Sequence, residues 1–235
     1  MVSKVQASKR RGIRKEEMAH MKNIMVIGIG RFGQRMVEKF HEMGNEVLAI
    51  DKDEERIDAV LPYVTNGEIA DAANEAYIRS LGVEDFDLCV VALGSDFESS
   101  VEITSFLKDA GAPFVLSRAT SDFHSKFLLR NGADKVVYPE QHTADWAAVC
   151  YANDTVFDYM PLSKDYSIYE IRVPGKWEDK SISELNVRQR YRINVLAIKR
   201  GDIIDPLLNP QHVFRGNERI LVMGENRDLN RVLNL

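Results

Sequence analysis

The sequence predicts an α/β protein: a doubly wound parallel sheet followed by a second, smaller α+β C-terminal domain. Three observations carry this. From Met21 to about residue 140, short continuous apolar runs alternate with longer amphipathic stretches. Between the first run and the first stretch lies Gly28-Ile29-Gly30-Arg31-Phe32-Gly33. After Glu140 the alternation gives way to a β-rich, non-periodic texture. Short apolar runs are what strands buried on both faces look like, and strands alternating with helices imply right-handed crossovers.

Each element has its own warrant. Ile24-Met25-Val26-Ile27 reads as the first strand and Arg31 to Met43 as the helix after it. Glu46 to Ile50 precedes a helical stretch from Glu54 to Leu61. A weak strand near Ile69 precedes a helix from about Asn74 to Leu81. Leu88 to Ala92 precedes Phe97 to Ala110, Phe114-Val115-Leu116 precedes Phe123 to Asn131, and Lys135 to Tyr138 closes a six-strand series. Residues 141–158 place Trp146, Val149, Cys150, Val156 and Phe157 near helical spacing, which predicts a crossover helix. In the remainder, Tyr169 to Val173, Val195 to Ile198 and Ile220 to Met223 read as strands. Ser181 to Tyr191 is amphipathic, and Arg200-Gly201-Asp202 and Arg215-Gly216-Asn217 read as turns. The expected organisation is a tail at 1–20, the sheet domain at 21–140, a helix and linker at 141–160, and the small domain at 161–235.

Composition narrows the function. Hydrophobic residues make up 45% and charged residues 29%, which excludes wholesale disorder and disulfide scaffolds. The longest apolar run, Trp146 to Ala152, is seven residues, against the roughly 20 a membrane helix needs. The start lacks the apolar segment of a secretory signal, so an intracellular protein is expected. Cys89 and Cys150 match no metal spacing and read as packed, reduced thiols. Residues 1–20 hold six basic and two acidic side chains, a net +4, so the rest of the chain carries −9 of the total −5. An acidic body argues against nucleic acid as a partner, because phosphate neutralisation needs a basic face.

The glycine motif carries the chemistry. It follows a buried-type strand, opens a helix, and has Asp51 18 positions after Gly33, at the end of the next strand. Gly28 permits a tight turn, Gly30 lets backbone approach a pyrophosphate, and Gly33 allows close helix–strand packing. The helix N-terminus offers unpaired N–H groups and a positive dipole end to phosphate. A carboxylate at Asp51 can accept both ribose hydroxyls and would repel a 2′-phosphate. Arg31 adds a bidentate donor at the first turn. Further candidates sit at strand ends, where ligands bind in this fold: Asp71, Gly94-Ser95-Asp96, Arg118 and Glu140. Of these, Arg118 and Glu140 could address a terminal phosphate and a divalent cation. The sequence lacks G-x-S-x-G, H-E-x-x-H and Walker motifs, and His41 and His124 are expected on helix surfaces. Binding without turnover is the expectation.

Val26 to Gly33, Gly44 to Asp51 and Gly132 to Glu140 together resemble the RCK (KTN, TrkA-N) domain, which has a Rossmann fold. Lys180-Ser181-Ile182, Leu185 to Arg188 and Leu196 to Gly201 resemble the RCK C-terminal (TrkA-C) domain. Both occur in the cytosolic regulatory subunits of Ktr/Trk potassium-uptake systems, and the likeness covers nearly all of residues 22–235. One departure is Asn217, where the family often has Gly-Asp before the final strand.

The resemblance implies homodimers assembling into a ring, commonly an octamer, at the inner face of the cell membrane. The ring would act beneath a potassium-translocating partner of the KtrB or TrkH kind. It implies ATP or ADP, in some members NADH or NAD, in the Rossmann site. Gly28, Ile29, Gly30, Arg31, Phe32 and Gly33 would hold phosphate and Asp51 ribose. Lys52, Asp53, Asp71 and Ala72 would flank adenosine, with Gly94 and Ser95 beside them. Arg31, reaching across a dimer, and Arg118 would sense terminal phosphates. Glu140 would sit near Mg²⁺ or Ca²⁺ held with the nucleotide. In some members cyclic di-AMP binds the C-terminal domain, where Arg188 falls in the matching region. Competing readings are a small NAD(H)-dependent oxidoreductase and a nucleotide-sensing DNA-binding regulator that would use the basic tail.

Overall fold

A computed structural model describes residues 21–94 and 96–233. The basic tail expected at 1–20 lies outside them, as do Ser95 and the last two residues. The chain divides into two compact units, one up to Pro139 and one from Glu140 onward.

The first unit is built on six strands: β1 (Asn23–Ile27), β2 (Glu46–Asp51), β3 (Asn66–Ile69), β4 (Leu88–Val91), β5 (Val115–Arg118) and β6 (Lys135–Val137). All pair in parallel, in the order β3-β2-β1-β4-β5-β6. This is the doubly wound Rossmann sheet, and its direction of winding reverses between β1 and β4. Five helices connect the strands: α1 (Arg31–Glu42), α2 (Glu54–Val60), α3 (Glu75–Ser80), α4 (Phe97–Asp109) and α5 (Asp122–Arg130).

Alternation along β1 shows why its run is continuously apolar. Ile24 and Val26 enter one core with Val37, Val47, Ile57 and Val90. Met25 and Ile27 enter the other with Ile50, Ile78, Cys89 and Ile103. Each such burial is worth about 1.5–3 kcal/mol. Burial also pushes the Cys89 thiol up to about 12, so it is an inert packed group.

The second unit takes all but the first residue of α6 (Pro139–Tyr151) and contains β7 (Val156–Pro161), β8 (Tyr166–Arg172), β9 (Ile193–Arg200), β10 (Ile203–Asp205) and β11 (Arg219–Glu225). These form an antiparallel sheet, β10-β9-β11-β8-β7. One face is covered: Tyr169, Ile171, Ile220 and Val222 pack with Trp177, Phe214 and Leu229 of α9 (Asn226–Leu233). Two four-residue helices, α7 (Ile182–Leu185) and α8 (Val187–Arg190), replace the single amphipathic segment expected at 181–191. Asn186, at φ 45°, breaks them apart in the left-handed region.

The helix expected over 141–158 is too long. It ends at Tyr151, and Val156 and Phe157 lie in β7 instead. Asn153 stops the helix: its Oδ1 accepts from the N–H of Thr155 at 2.8 Å, an Asx turn that turns the chain into β8's partner strand.

Candidate functional site

At the end of β1 the chain turns through Gly28, whose φ of +91° is left-handed. Its N–H donates to the Ile50 carbonyl at 2.8 Å. A Cβ on Gly28 would lie 2.8 Å from Leu93 Cδ2, and one on Gly33 would lie 2.0 Å from the Gly28 carbonyl oxygen. Packing alone therefore fixes these two glycines. Gly30 is different: its φ is −74°, and a Cβ there would meet nothing within 4 Å. The protein does not need a glycine at this point, yet one leaves open space in front of helix α1.

That helix is unlike its neighbours. Helices α2 to α5 are N-capped by the side chains of Asp53, Asn74, Asp96 and Ser121, and each has an acidic residue in its first turn. Helix α1 starts from Gly30 with no side-chain cap and no acid, and places Arg31 at its first position. Its dipole and N–H groups are left for an anion from outside.

Two clefts meet at Gly28. One is lined by Gly28, Ile29, Gly30, Arg31, Gln34, Arg56, Ala92, Leu93, Gly94 and Arg118: three guanidinium groups and no carboxylate. The other is lined by apolar Ile27, Ile50, Ala70, Ala72, Leu93 and Ile103 and by Asp51, Lys52, Arg56, Asp71, Asp96 and Ser99. A cationic cleft suits phosphates, and an apolar cleft rimmed by carboxylates suits a nucleoside.

Asp51 joins the two. It is buried, and its Oδ2 accepts from the Ile29 N–H at 2.6 Å while Oδ1 accepts from the Asp53 N–H at 3.0 Å. The residue read as a ribose acceptor thus also pins the glycine loop. Asp71 stabilises its own turn, its Oδ1 accepting from the Ala73 N–H at 3.0 Å. Asp96 accepts from both the N–H and the hydroxyl of Ser99, which together with Lys52 hold its carboxyl below the usual range. The Arg118 guanidinium lies 5.5 Å from the Phe32 ring centroid.

The structure thus gathers Gly28, Ile29, Gly30, Arg31, Gly94 and Arg118 around one cleft, and Gly28, Asp51, Lys52, Asp71 and Ala72 around the other. Phe32 packs against the core, Gly33 is a packing glycine, and Asp53 caps α2. Glu140 lies in the first turn of α6, in the second unit. Ser95 is outside the described residues. Among the described residues no three His, Cys, Asp or Glu side chains cluster as a metal site, and no helix is long and apolar enough to cross a membrane.

Sequence reasoning missed Arg56, which lines both clefts. Its Nη1 lies 3.5 Å from Asp51 Oδ2 and its Nε 3.3 Å from Asp53 Oδ2. The available signal was its place three residues after the Asp53 cap. His124 is a correction: expected on a helix surface, it is 1% exposed, with its Nε2 2.7 Å from the Ser100 hydroxyl oxygen.

The TrkA-N domain model matches residues 24–139 and the TrkA-C domain model residues 168–235. The chain is 37% identical over 215 residues to Ktr system potassium uptake protein A of Bacillus subtilis, covering 91% of this chain and 96% of that one. It is 33% identical to Ktr system potassium uptake protein C of the same organism, covering 89% and 95%. Among solved structures, the GsuK channel superposes with a TM-score of 0.68 at 12% identity, over 91% of this chain and 39% of that chain. The chain spans well under half of that channel polypeptide, and the likeness is one of fold.

Proposed function

This chain belongs to the family of paired TrkA-N and TrkA-C domain proteins that includes the Ktr potassium uptake proteins, and from that premise we propose that it is a nucleotide-sensing regulatory subunit of a membrane potassium transporter. The observation that carries the nucleotide assignment is helix α1. Among the described residues it is the one α-helix of the first unit with neither a side-chain cap nor a first-turn acid, and it opens on a cleft with three arginines.

The division of labour follows from the two clefts. The apolar cleft takes the adenine, and Asp51 accepts from ribose hydroxyls on its free lone pairs. Phosphates lie over Gly30 against the N–H groups of α1. ATP and ADP share every adenosine contact, so only groups near the terminal phosphate supply differential affinity. Arg31 and Arg118 take that role. The bound nucleotide biases a homo-oligomeric ring between two arrangements, and a membrane-embedded partner responds. Cyclic di-AMP at the second unit, near Arg188 on α8, is a further ligand consistent with the family.

Calorimetric titration with ATP, ADP, NADH and NAD, with and without Mg²⁺, tests the reading. The expected result is tight binding of ATP and ADP with a cation effect confined to ATP. Preferential NADH binding would overturn the terminal-phosphate assignment and favour a redox ligand.

A further inference from the structure

His124 is a buried imidazole that the proposed function does not use, and its hydrogen-bond partners are close chain neighbours of residues that line the two clefts. Its Nε2 lies 2.7 Å from the Ser100 hydroxyl oxygen, which itself donates to the Phe97 carbonyl at 2.9 Å. That oxygen therefore accepts from an Nε2–H, and Nδ1 is left as the acceptor. Facing Nδ1 are the Thr120 N–H at 3.4 Å and the Thr120 hydroxyl at 3.3 Å. Ser100 follows Ser99, which lines the apolar cleft from helix α4. Thr120 lies two residues beyond Arg118, which lines the cationic cleft from the end of β5.

We propose that His124 is a positioning residue of the nucleotide site: one neutral imidazole ties the segment that carries Arg118 to the helix that lines the adenosine cleft. The inference rests on the nucleotide reading above.

The tie depends on protonation. A second proton would set Nδ1–H against the Thr120 N–H, two donors face to face, leave only the Thr120 hydroxyl oxygen to accept from it, and put a charge where burial already holds the imidazole pKa down. The ring's hydrogen-bond partners are all uncharged, and Phe97 packs on it at 4.9 Å between centroids. Charged residues on the surrounding elements are Asp96 at the cap of α4 with Glu98, Glu102, Lys108 and Asp109 along it, Arg118 on β5, and Asp122, Lys126 and Arg130 on α5. Acid therefore loosens the tie, and nucleotide affinity falls with it.

The test is calorimetric titration of the full chain with ADP in steps from about pH 7.5 to about pH 4.5, reaching below the ordinary histidine range because burial holds this imidazole down. It compares the unaltered protein with His124→Gln, which keeps a donor toward Ser100 and cannot take up a proton. The ADP phosphate titrates in the same range, so the readout is the difference between the two proteins. At the higher pH, His124→Gln is expected to bind about fivefold more weakly, the loss of roughly one hydrogen bond's worth of positioning. On acidification the unaltered protein is expected to lose about fivefold more affinity than the variant. Equal affinities and parallel pH curves in the two proteins, with ADP still bound, overturn the positioning role and leave the nucleotide reading standing. Absence of nucleotide binding by the unaltered protein overturns both. Should His124→Gln not fold, Ser100→Ala removes the other end of the same hydrogen bond and is expected to weaken ADP alike; unchanged affinity there overturns the proposal.

Discussion

Replacing Gly30 and Gly33 separately by alanine distinguishes a ligand cradle from a tight turn. At Gly33 the new Cβ would sit 2.0 Å from the Gly28 carbonyl oxygen, at least an ångström closer than real contacts come. The loop must move, at a cost of about 3 kcal/mol, the upper end for overpacking. At Gly30 the Cβ meets nothing. Alanine is a poorer N-cap than glycine, but it narrows the unfolded ensemble, and these opposed effects of under about 1 kcal/mol largely offset each other. Thermal unfolding should therefore show Gly33→Ala lowered by roughly 10 °C in the first unit's transition, with Gly30→Ala within a few degrees of the parent. Calorimetry with ADP reads the other half. In Gly30→Ala the methyl group occupies the phosphate position, and losing one or two hydrogen bonds to a charged group, about 1.5–3 kcal/mol each, weakens ADP at least about tenfold. A folded Gly30→Ala protein with parental ADP affinity would refute the placement of phosphate over α1.

Three further outcomes are expected. Arg31→Ala should narrow the gap between ATP and ADP affinity while ADP still binds, and an undiminished gap by calorimetry would remove Arg31 as a terminal-phosphate sensor. Asp51→Ala should weaken both nucleotides alike and also lower stability by about 1–3 kcal/mol, because the Ile29 and Asp53 N–H groups lose their acceptor; thermal unfolding and paired titrations check both halves. In the second unit, burial alone would raise the Glu218 carboxyl, but hydrogen bonds from His212 and Arg200 and from the Arg215 N–H prevail and hold it low. A depressed carboxylate stabilises the fold above its unfolded value and loses that contribution as pH falls through the folded one. Acid unfolding below about pH 4.5 should accordingly be shallower in Glu218→Gln than in the parent.

The sheet domain was legible because its strands are buried on both faces: a run such as Ile24 to Ile27 has no polar alternative, and the glycine spacing fixes the turn into helix α1. The clefts were legible for the same reason, since strand ends in a parallel sheet point to one edge. What escaped was set by contacts distant in sequence or by the fine geometry of turns. Val156 and Phe157 keep helical spacing with Trp146, and only the Asn153 turn and the pairing with β8 decide against it. His124 is polar on a short helix, so pattern alone sends it outward; the hydroxyl of Ser100, 24 residues earlier, is what makes burial tolerable. Arg56 lines both clefts only because the chain leaves Asp51 through a capped turn whose angle the sequence does not state. Asp51 was read only as a ribose acceptor, and its hydrogen bonds to the Ile29 and Asp53 N–H groups, which pin the glycine loop, went unread.

The order of the parallel sheet has a consequence for biosynthesis. β1 lies at its centre, yet its second neighbour, β4, is separated from it by the whole β2–β3 half. Gly28 and Gly33 close against Leu93 and Ala92, which come directly after β4. A nascent chain that has emerged only through β3 can pair β1 with β2 and fill one core, but it leaves the opposite edge of β1 as a row of unpaired backbone groups. The glycine loop ahead of α1, though encoded well before β4, is completed only when β4 docks. Until then the growing chain exposes an unpaired apolar strand edge, the kind of surface that invites wrong pairing during folding.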